Sequence, residues 1–257
     1  MRTLKRAAIK SIKLANYLGS GISIRLVKWT GKAPQLLHPK HLIKDNAEFA
    51  EFFDADDVVL DIGCANGQRD FKLASKVKKI VAFDYDDRLL AQAKEWQAAN
   101  KVENVEFSKI SAEERLPFED WSFDKILFLD VLEHLNNREL ALSECYRLLK
   151  PGGRMIIAVP NSDTSWKRLQ KSAGLPYYSD SDHKIEYTKE EIIDVLTKAR
   201  FKILRFDPIV LDFCLAGLID LVGGFSLSLY KKMADWKKKK AREDESESVG
   251  FMILAEK

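Results

Sequence analysis

Short apolar runs alternate with helix-like segments through the middle of this chain, and this alternation constrains its fold more than any other feature. The runs at 58–62 and 79–84 are typical of buried strands, and helical spacing follows each of them, at 67–76 and 87–99. The same reasoning predicts further strands at 104–109, 123–129, 154–159, 201–206 and 249–255, and helices at 138–149 and 188–199. Strands that alternate with helices form a mostly parallel sheet covered on both faces. The sequence therefore predicts an α/β protein.

The two ends of the chain differ from this pattern. Residues 1–20 have basic, amphipathic helical spacing, 21–45 read as a connecting segment, and 46–53 fit a short helix. We therefore predict a basic helical arm at 1–45 and an α/β domain at 46–257. A helical insertion at about 211–245 is predicted between the last two strands of that domain.

The insertion begins with an unusually apolar stretch at 209–230. This stretch is long enough to span a bilayer, but Asp212 and Asp220 lie within it, and a carboxylate at mid-membrane is costly. Gly223 and Gly224 predict a break between two helices. The two helices are interpreted as a lid over an acceptor pocket, a dimer contact, or an element that docks on a membrane.

Charge is distributed unevenly along the chain. Residues 1–45 carry ten Lys or Arg and one Asp, whereas residues 46–230 carry a net charge of −8 within a total of +3. A basic arm on an acidic body suggests an anionic partner such as a phospholipid surface, and a solvated helix face is the alternative. The three cysteines are widely spaced, which is typical of a reducing compartment. We expect a cytoplasmic protein, with peripheral membrane association through the arm and the insertion as an extension of that expectation.

The first motif with chemical content is VVLDIGCANGQ, at 58–68. A buried strand runs into a turn with Gly63 and Gly67, and a helix follows. Glycines there let the backbone approach a ligand, and a helix N-terminus offers free N–H groups. The spacing is not the G-x-G-x-x-G of dinucleotide-binding folds, which argues against a nicotinamide-dependent dehydrogenase.

The second motif is Asp84, which ends the next predicted strand. A carboxylate at this position can accept hydrogen bonds from both hydroxyls of a ribose, and a helix N-cap is the alternative role. Together the two motifs indicate a ligand that contains adenosine, at the carboxyl ends of the strands.

The order of motifs resembles that of the class I methyltransferases that use S-adenosylmethionine. The resemblance rests on D-I-G-C-A-N-G, the acid that ends the next strand, SAEERLPFEDWSFD, LDVLEHL and LLKPGGRMIIAVPN, and it covers about residues 55–210 and the last strand. It implies a Rossmann-like seven-stranded sheet with strand order 3-2-1-4-5-7-6 and an antiparallel last strand. It also implies S-adenosylmethionine as the cofactor.

The resemblance assigns roles to particular residues. Around the methionine end of the cofactor it places Asp61, Gly63, Cys64, Ala65 and Gly67. Asp84 is expected at the ribose and Tyr85 against the adenine. Ser111 and Ala112 match the adenine amino position, where many relatives carry Asp before Ala. Leu129 and Asp130 are expected near the sulfonium.

Two histidines are the candidate bases. His134 follows the fourth strand and His183 precedes the helix at 188–199, and a neutral imidazole can remove a proton from a hydroxyl near pH 7. A structural role in the LEHL turn is the alternative for His134. Asp130, Glu133 and His134 also form a D-x-x-E-H cluster that suits Mg²⁺ or Mn²⁺, but LEHL is frequent in relatives without a metal, so we predict none.

These features predict a methyltransferase for a small-molecule or lipid-linked acceptor, with transfer to oxygen. Two other functions stay open. The basic arm permits an RNA methyltransferase, although no N/D-P-P-Y/F motif and no RNA-binding domain are recognisable, so no nucleic acid is expected. The other is a non-catalytic module that binds S-adenosylmethionine for regulation.

Overall fold

The computed structural model describes residues 2–33, 36–42 and 50–257. The chain divides into two compact units. One contains Asn46–Pro160, Asp180–Asp207 and Phe251–Lys257, and the other contains Met1–Asp45, Asn161–Ser179 and Pro208–Gly250. Residues 46–49 of the short helix predicted at 46–53 lie outside the described residues. Its last part, Ala50–Phe52, forms a single 3₁₀ turn.

Seven strands form one sheet in the order β3-β2-β1-β4-β5-β7-β6, as predicted. Their bounds are β1 Val58–Ile62, β2 Lys79–Asp84, β3 Val105–Lys109, β4 Phe123–Leu129, β5 Leu149–Pro160, β6 Lys202–Pro208 and β7 Gly250–Glu256. The pairs β1–β2, β2–β3, β1–β4 and β4–β5 are parallel. Lys257 donates its N–H to Gly153, whereas Asn161 donates to Val249, so β7 runs antiparallel to β5. The prediction of an antiparallel last strand is confirmed.

Helices connect the parallel strands and cover both faces of the sheet. They are α2 Gln68–Leu73, α3 Asp87–Asn100, α4 Arg138–Leu148 and α6 Lys189–Lys198. The predicted capping box of α6 is present, since Thr188 accepts from the Glu191 N–H and the Glu191 carboxylate accepts from the Thr188 N–H. The main core lies against the sheet and is built from fully buried side chains such as Phe83, Phe128 and Phe251.

Strand β5 begins five residues before its predicted start. The prediction treated Pro151-Gly152-Gly153 as a break, but β5 runs through it. A shift in the β4–β5 register between Phe123 and Lys125 accommodates the extra residues, and Gly152 has a φ of 73°. A bulge of this kind lets a strand tolerate Gly and Pro without ending.

The second unit is helical. It contains α1 Arg2–Trp29, α5 Ser165–Ser172, α7 Ala216–Phe225 and α8 Leu227–Glu243. The prediction that residues 21–45 are a connecting segment is wrong for its first part, because α1 continues to Trp29. Small residues allow α1 and α7 to meet closely, and a Cβ on Gly19 would lie 2.5 Å from the carbonyl oxygen of Gly217. That backbone approach explains glycine in mid-helix.

The two helices predicted in the insertion are present, but the break between them lies at Ser226 and not at Gly223-Gly224. Both glycines lie inside α7, and the chain turns at Ser226, whose hydroxyl accepts the Leu229 N–H at 3.3 Å and caps α8. Gly223 is needed for packing, because a Cβ there would lie 2.6 Å from Pro39. None of the described helices combines the length and the apolar character needed to cross a bilayer.

Candidate functional site

The loop between β1 and α2 has a backbone that side chains would disturb. Gly63 and Gly67 have φ angles of 75° and 73°, and Ala65 between them has a φ of 50°. A Cβ on Gly63 would lie 2.4 Å from Cγ2 of Val131. Left-handed backbone and close packing together therefore explain glycine at position 63.

Asp84 connects this loop to the end of β2. One carboxylate oxygen accepts the Ala65 N–H at 2.9 Å and the other accepts the Asp86 N–H at 2.9 Å. Each oxygen keeps a second lone pair, so the side chain can still accept two hydroxyl hydrogen bonds. Asp84 is therefore more than a helix cap; the N-cap of α3 is Asp86.

A cavity of about 680 Å³ opens beside the loop and Asp84. Its volume is in the range of small-molecule sites. Seven of the eleven predicted cofactor residues line it: Gly63, Ala65, Asp84, Tyr85, Ser111, Ala112 and Asp130. Sequence reasoning did not identify the other residues that line the cavity, which are Phe83, Leu89, Ile110, Glu113, Val131, Leu135, Asp182 and Lys184. Their types carry no signal of their own, because only the fold brings these segments together.

The other four predicted cofactor residues do not line the cavity. Asp61, Cys64 and Leu129 are buried, and a Cβ on Gly67 would lie 2.7 Å from the ring of Phe107. Burial raises the pKa of the Cys64 thiol far above its usual range, so this cysteine stays uncharged.

A second cavity, of about 750 Å³, is lined by residues of α4 and α6 and the segments beside them, including Asn136, Tyr187 and Arg200. It contains none of the predicted site residues. The first cavity is therefore the candidate cofactor site.

Two buried carboxyl groups stand behind the glycine loop. Asp61 is 3% exposed and Asp70 of α2 is fully buried, and within the described residues neither oxygen of Asp70 has a hydrogen-bond partner. Burial raises the pKa of Asp61 to about 6 and raises the pKa of Asp70 as well, with repulsion between the two adding to the second effect. Repulsion between two neighbouring buried carboxylates favours the protonated form of Asp70, which avoids the cost of burying both charges. Asp70 was not predicted, because a lone Asp in a helix carries no sequence signal.

Asp130 follows β4 with an unusual backbone. Its φ is 59°, and its carboxylate forms an ion pair of 2.9 Å with Arg69 of α2. Left-handed conformations of residues other than glycine cluster at functional sites. Arg69 holds Asp130 at the cavity wall, and the sequence did not identify this pair.

The two predicted histidines are neighbours. Their ring centroids are 4.7 Å apart in an edge-to-face arrangement. His134 lines the cavity, whereas His183 does not, although Asp182 and Lys184 on either side of it do. Nδ1 of His183 lies 2.8 Å from Oε1 of Glu186, so a carboxylate fixes the orientation of that imidazole.

Glu133 completes this group. It is 1% exposed, and its Oε1 lies 3.9 Å from Nε2 of His183. Burial, reinforced by Asp130 and Glu186, raises the pKa of Glu133 to about 8. Ligand atoms of Glu133, His134 and His183 lie within 4.8 Å of one another. Asp130, the remaining member of the D-x-x-E-H pattern, is instead paired with Arg69. The absence of a metal requirement stays a prediction, and we expect activity to survive EDTA.

The raised pKa of Glu133 predicts a pH-dependent stability. The folded protein keeps a proton on Glu133 that the unfolded chain releases above its ordinary pKa of 4.5. Between the unfolded and the folded pKa of Glu133, the free energy of unfolding therefore falls by up to about 1.4 kcal/mol for each unit of rising pH. We expect the free energy of unfolding to fall by about 2 kcal/mol more in the wild type than in Glu133→Gln between pH 6 and 8. Urea titrations at both pH values measure this, and identical pH dependence in the two proteins would refute it.

Comparisons with known proteins agree with this geometry. A family model described as a methyltransferase domain matches residues 53–217. A protein of Mycolicibacterium smegmatis named as a probable S-adenosylmethionine-dependent methyltransferase is 28% identical over 145 residues, which are 56% of this chain and 52% of that protein. The ubiquinone biosynthesis O-methyltransferase of Dechloromonas aromatica is 31% identical over 103 residues, 40% of this chain and 44% of that protein. The chain spans about half the length of the curated relatives it matches.

Solved structures share the fold. An S-adenosylmethionine-dependent methyltransferase from Methanosarcina mazei superposes with a TM-score of 0.57 at 20% identity, covering 84% of this chain and 99% of that one. The [4+2]-cyclase SpnF superposes with a TM-score of 0.57 at 19% identity, covering 80% and 76%. At these identities the likeness shows the fold alone, whereas the family model spans more than half of the sequence. The chain belongs to the class I methyltransferase family, whose cofactor is S-adenosylmethionine.

Proposed function

We propose that this protein transfers the methyl group of S-adenosylmethionine to the oxygen of a small-molecule acceptor. The observation that carries the proposal is the cavity itself. It combines the Asp84 carboxylate, the backbone of the glycine loop and the His134 imidazole in one space of about 680 Å³.

The residues of the cavity fit the cofactor. Asp84 has a free lone pair on each oxygen for the two ribose hydroxyls. Tyr85, Ser111 and Ala112 offer a ring, a hydroxyl and a small side chain for the adenine. Asp61 and Asp70 form an anionic region behind the glycine loop that would favour the methionine ammonium.

Methyl transfer requires three further contributions from the protein. The bound cofactor supplies an activated methyl group, so the chain has to align the acceptor oxygen, exclude water and remove a proton. We assign proton removal to His134, which faces the cavity. His183 is assigned a positioning role, because it contacts the His134 ring while its own Nδ1 is held by Glu186.

Two observations support an oxygen acceptor that is small or lipid-linked. One relative is named as an O-methyltransferase of ubiquinone biosynthesis. The wall formed by Phe83, Leu89, Ile110, Val131 and Leu135 is apolar, which suits an aromatic or aliphatic body with one hydroxyl.

A regulatory module without catalysis is the second candidate. This candidate is supported by the similarity of the fold to a protein named as a cyclase. That similarity indicates that the fold is not limited to methyl transfer.

A panel of acceptors tests the proposal. The full chain is incubated with S-adenosylmethionine and phenols, catechols, hydroxylated quinones, primary amines or RNA, and products are measured by mass spectrometry. We expect methylated hydroxyl compounds and formation of S-adenosylhomocysteine. Methylation of amines or RNA alone would refute the assignment to oxygen, and binding of the cofactor with no product in any arm would favour the regulatory module.

A further inference from the structure

Helix α1 has one buried face, which is fixed to α7. Asn16 donates its side-chain amide to the Cys214 carbonyl at 2.7 Å and accepts the Gly217 N–H at 3.1 Å. About two helical turns further on, Ser23 donates its hydroxyl to the Asp220 carbonyl. Ile9, Asn16 and Ser23 recur every seven residues and so lie on one side of the helix. The opposite side is consequently held in a fixed orientation.

That opposite side is an apolar stripe exposed to solvent. Intervals of ten, four, four and seven residues place its large members on one side of the helix, and these are Leu4, Leu14, Leu18, Ile22 and Trp29. Leu18 is 51% exposed and Trp29 is 82% exposed. The stripe extends over 26 residues, from Leu4 to Trp29, or about 38 Å. Exposed Ser11 and Arg25 lie in the same row as Leu18, one heptad to either side, and interrupt the stripe. Large exposed apolar side chains grouped on one side of a helix mark an interaction site on a soluble protein.

Basic side chains lie along one edge of the stripe. Lys10 and Lys28 are five helical turns apart and so point in the same direction, and Arg6 lies one turn from Lys10. All three are exposed, and within the described part of the chain they form no hydrogen bond or ion pair. Lys5 and Lys13, by contrast, bond to Ser172 and to the Pro176 carbonyl. The cations without a partner therefore lie beside the exposed stripe.

We propose that the outer face of α1, defined by this stripe and its basic edge, docks on the surface of an anionic lipid bilayer. An apolar stripe flanked by Lys and Arg matches the boundary between acyl chains and anionic headgroups, and Trp29 and Tyr17 are residue types that favour that boundary. A second copy of the chain would bring two like-charged edges together, so charge complementarity favours the lipid. The proposal goes beyond methyl transfer and does not depend on it.

Vesicle flotation with the full chain tests the proposal. The probes are vesicles of phosphatidylcholine alone and of equal parts phosphatidylcholine and phosphatidylglycerol. We expect binding to the anionic vesicles that weakens with salt, and a blue shift of Trp fluorescence that Trp29→Phe removes.

Paired variants separate the two contributions. Leu18→Asn with Trp29→Ser is expected to weaken binding more than about tenfold. Lys10→Glu with Lys28→Glu is expected to weaken it at least about twentyfold, since each lost cation costs about a factor of five. Lys72→Glu with Lys94→Glu is the matched control, because both residues are exposed on α2 and α3 and the change in net charge is the same. It is expected to bind within about twofold of the wild type.

Three results would overturn the proposal: equal binding to neutral and anionic vesicles, equal loss in the matched control, or a stable dimer in light scattering that the Leu18→Asn, Trp29→Ser variant converts to a monomer. The last would assign the stripe to a second copy. Affinity for S-adenosylhomocysteine, measured on the same samples, reports on the cofactor site separately. Unchanged affinity shows that the unit with the cofactor site is folded, and an unchanged circular dichroism spectrum shows that the helical unit is folded.

Discussion

Replacing His134 with Gln is expected to lower turnover by about a hundredfold to ten thousandfold, the range that a positioned general base contributes. The ring lines the cavity, where we propose that the acceptor hydroxyl loses its proton, and Gln keeps a polar side chain without a basic nitrogen. Steady-state kinetics with an accepted substrate measure the loss. The affinity for S-adenosylhomocysteine is expected to stay within about threefold.

The control for this variant is His38→Gln, in the helical unit, where His38 contacts Asp220 at 3.2 Å. It is expected to leave turnover unchanged. Turnover of His134→Gln within about threefold of the wild type would assign the histidine to the structure of the turn.

Replacing Gly63 with Ala is expected to weaken cofactor binding more than about tenfold and to lower the free energy of unfolding by about 2–5 kcal/mol. A φ of 75° costs a residue other than glycine about 1–2 kcal/mol. The new Cβ would also lie 2.4 Å from Val131, which must move, and overpacking of this kind costs about 1–3 kcal/mol. Calorimetry with S-adenosylhomocysteine and urea denaturation measure the two effects.

Gly152→Ala is the matched control. Gly152 has a φ of 73°, but no atom lies within 4 Å of its expected Cβ, so it shares the backbone strain without the clash. The control should lose stability and keep cofactor affinity. A second variant, Gly63→Ala with Val131→Ala, removes the clashing methyl groups and should recover part of the binding. Equal behaviour of Gly63→Ala and Gly152→Ala would contradict the role of close packing at Val131.

The sequence pattern predicted the fold correctly where it reflects the position of a segment in the folded protein. The runs at β1, β2 and β4 are apolar because both faces of a central parallel strand are buried, and the carboxylate that ends β2 sits next to the glycine loop for the same topological reason. Prediction failed where tertiary contacts override local signals. Gly223 and Gly224 suggest a break, yet both allow α7 to pack closely, and Pro151-Gly152-Gly153 is absorbed by a bulge in β5.

The candidate site shows the same division. Gly63 and Asp84 could be identified because their conformation and chemistry impose a residue type at a fixed place in the motif. Asp70 and Arg69 could not, because their roles depend on which groups α2 brings beside Asp61 and Asp130. His183 was identified as a candidate, but its contact with His134 required the segment before α6 to return to the end of β4.

The most direct test of the account is calorimetric titration of the full chain with S-adenosylhomocysteine, beside the Asp84→Ala variant. Asp84 holds the loop through Ala65 and keeps a lone pair on each oxygen for the ribose. The account predicts micromolar binding to the wild type and no measurable binding to the variant, with the variant still folded by circular dichroism. Absence of binding to the wild type, or equal binding to both proteins, would contradict the assignment of this cavity to the cofactor.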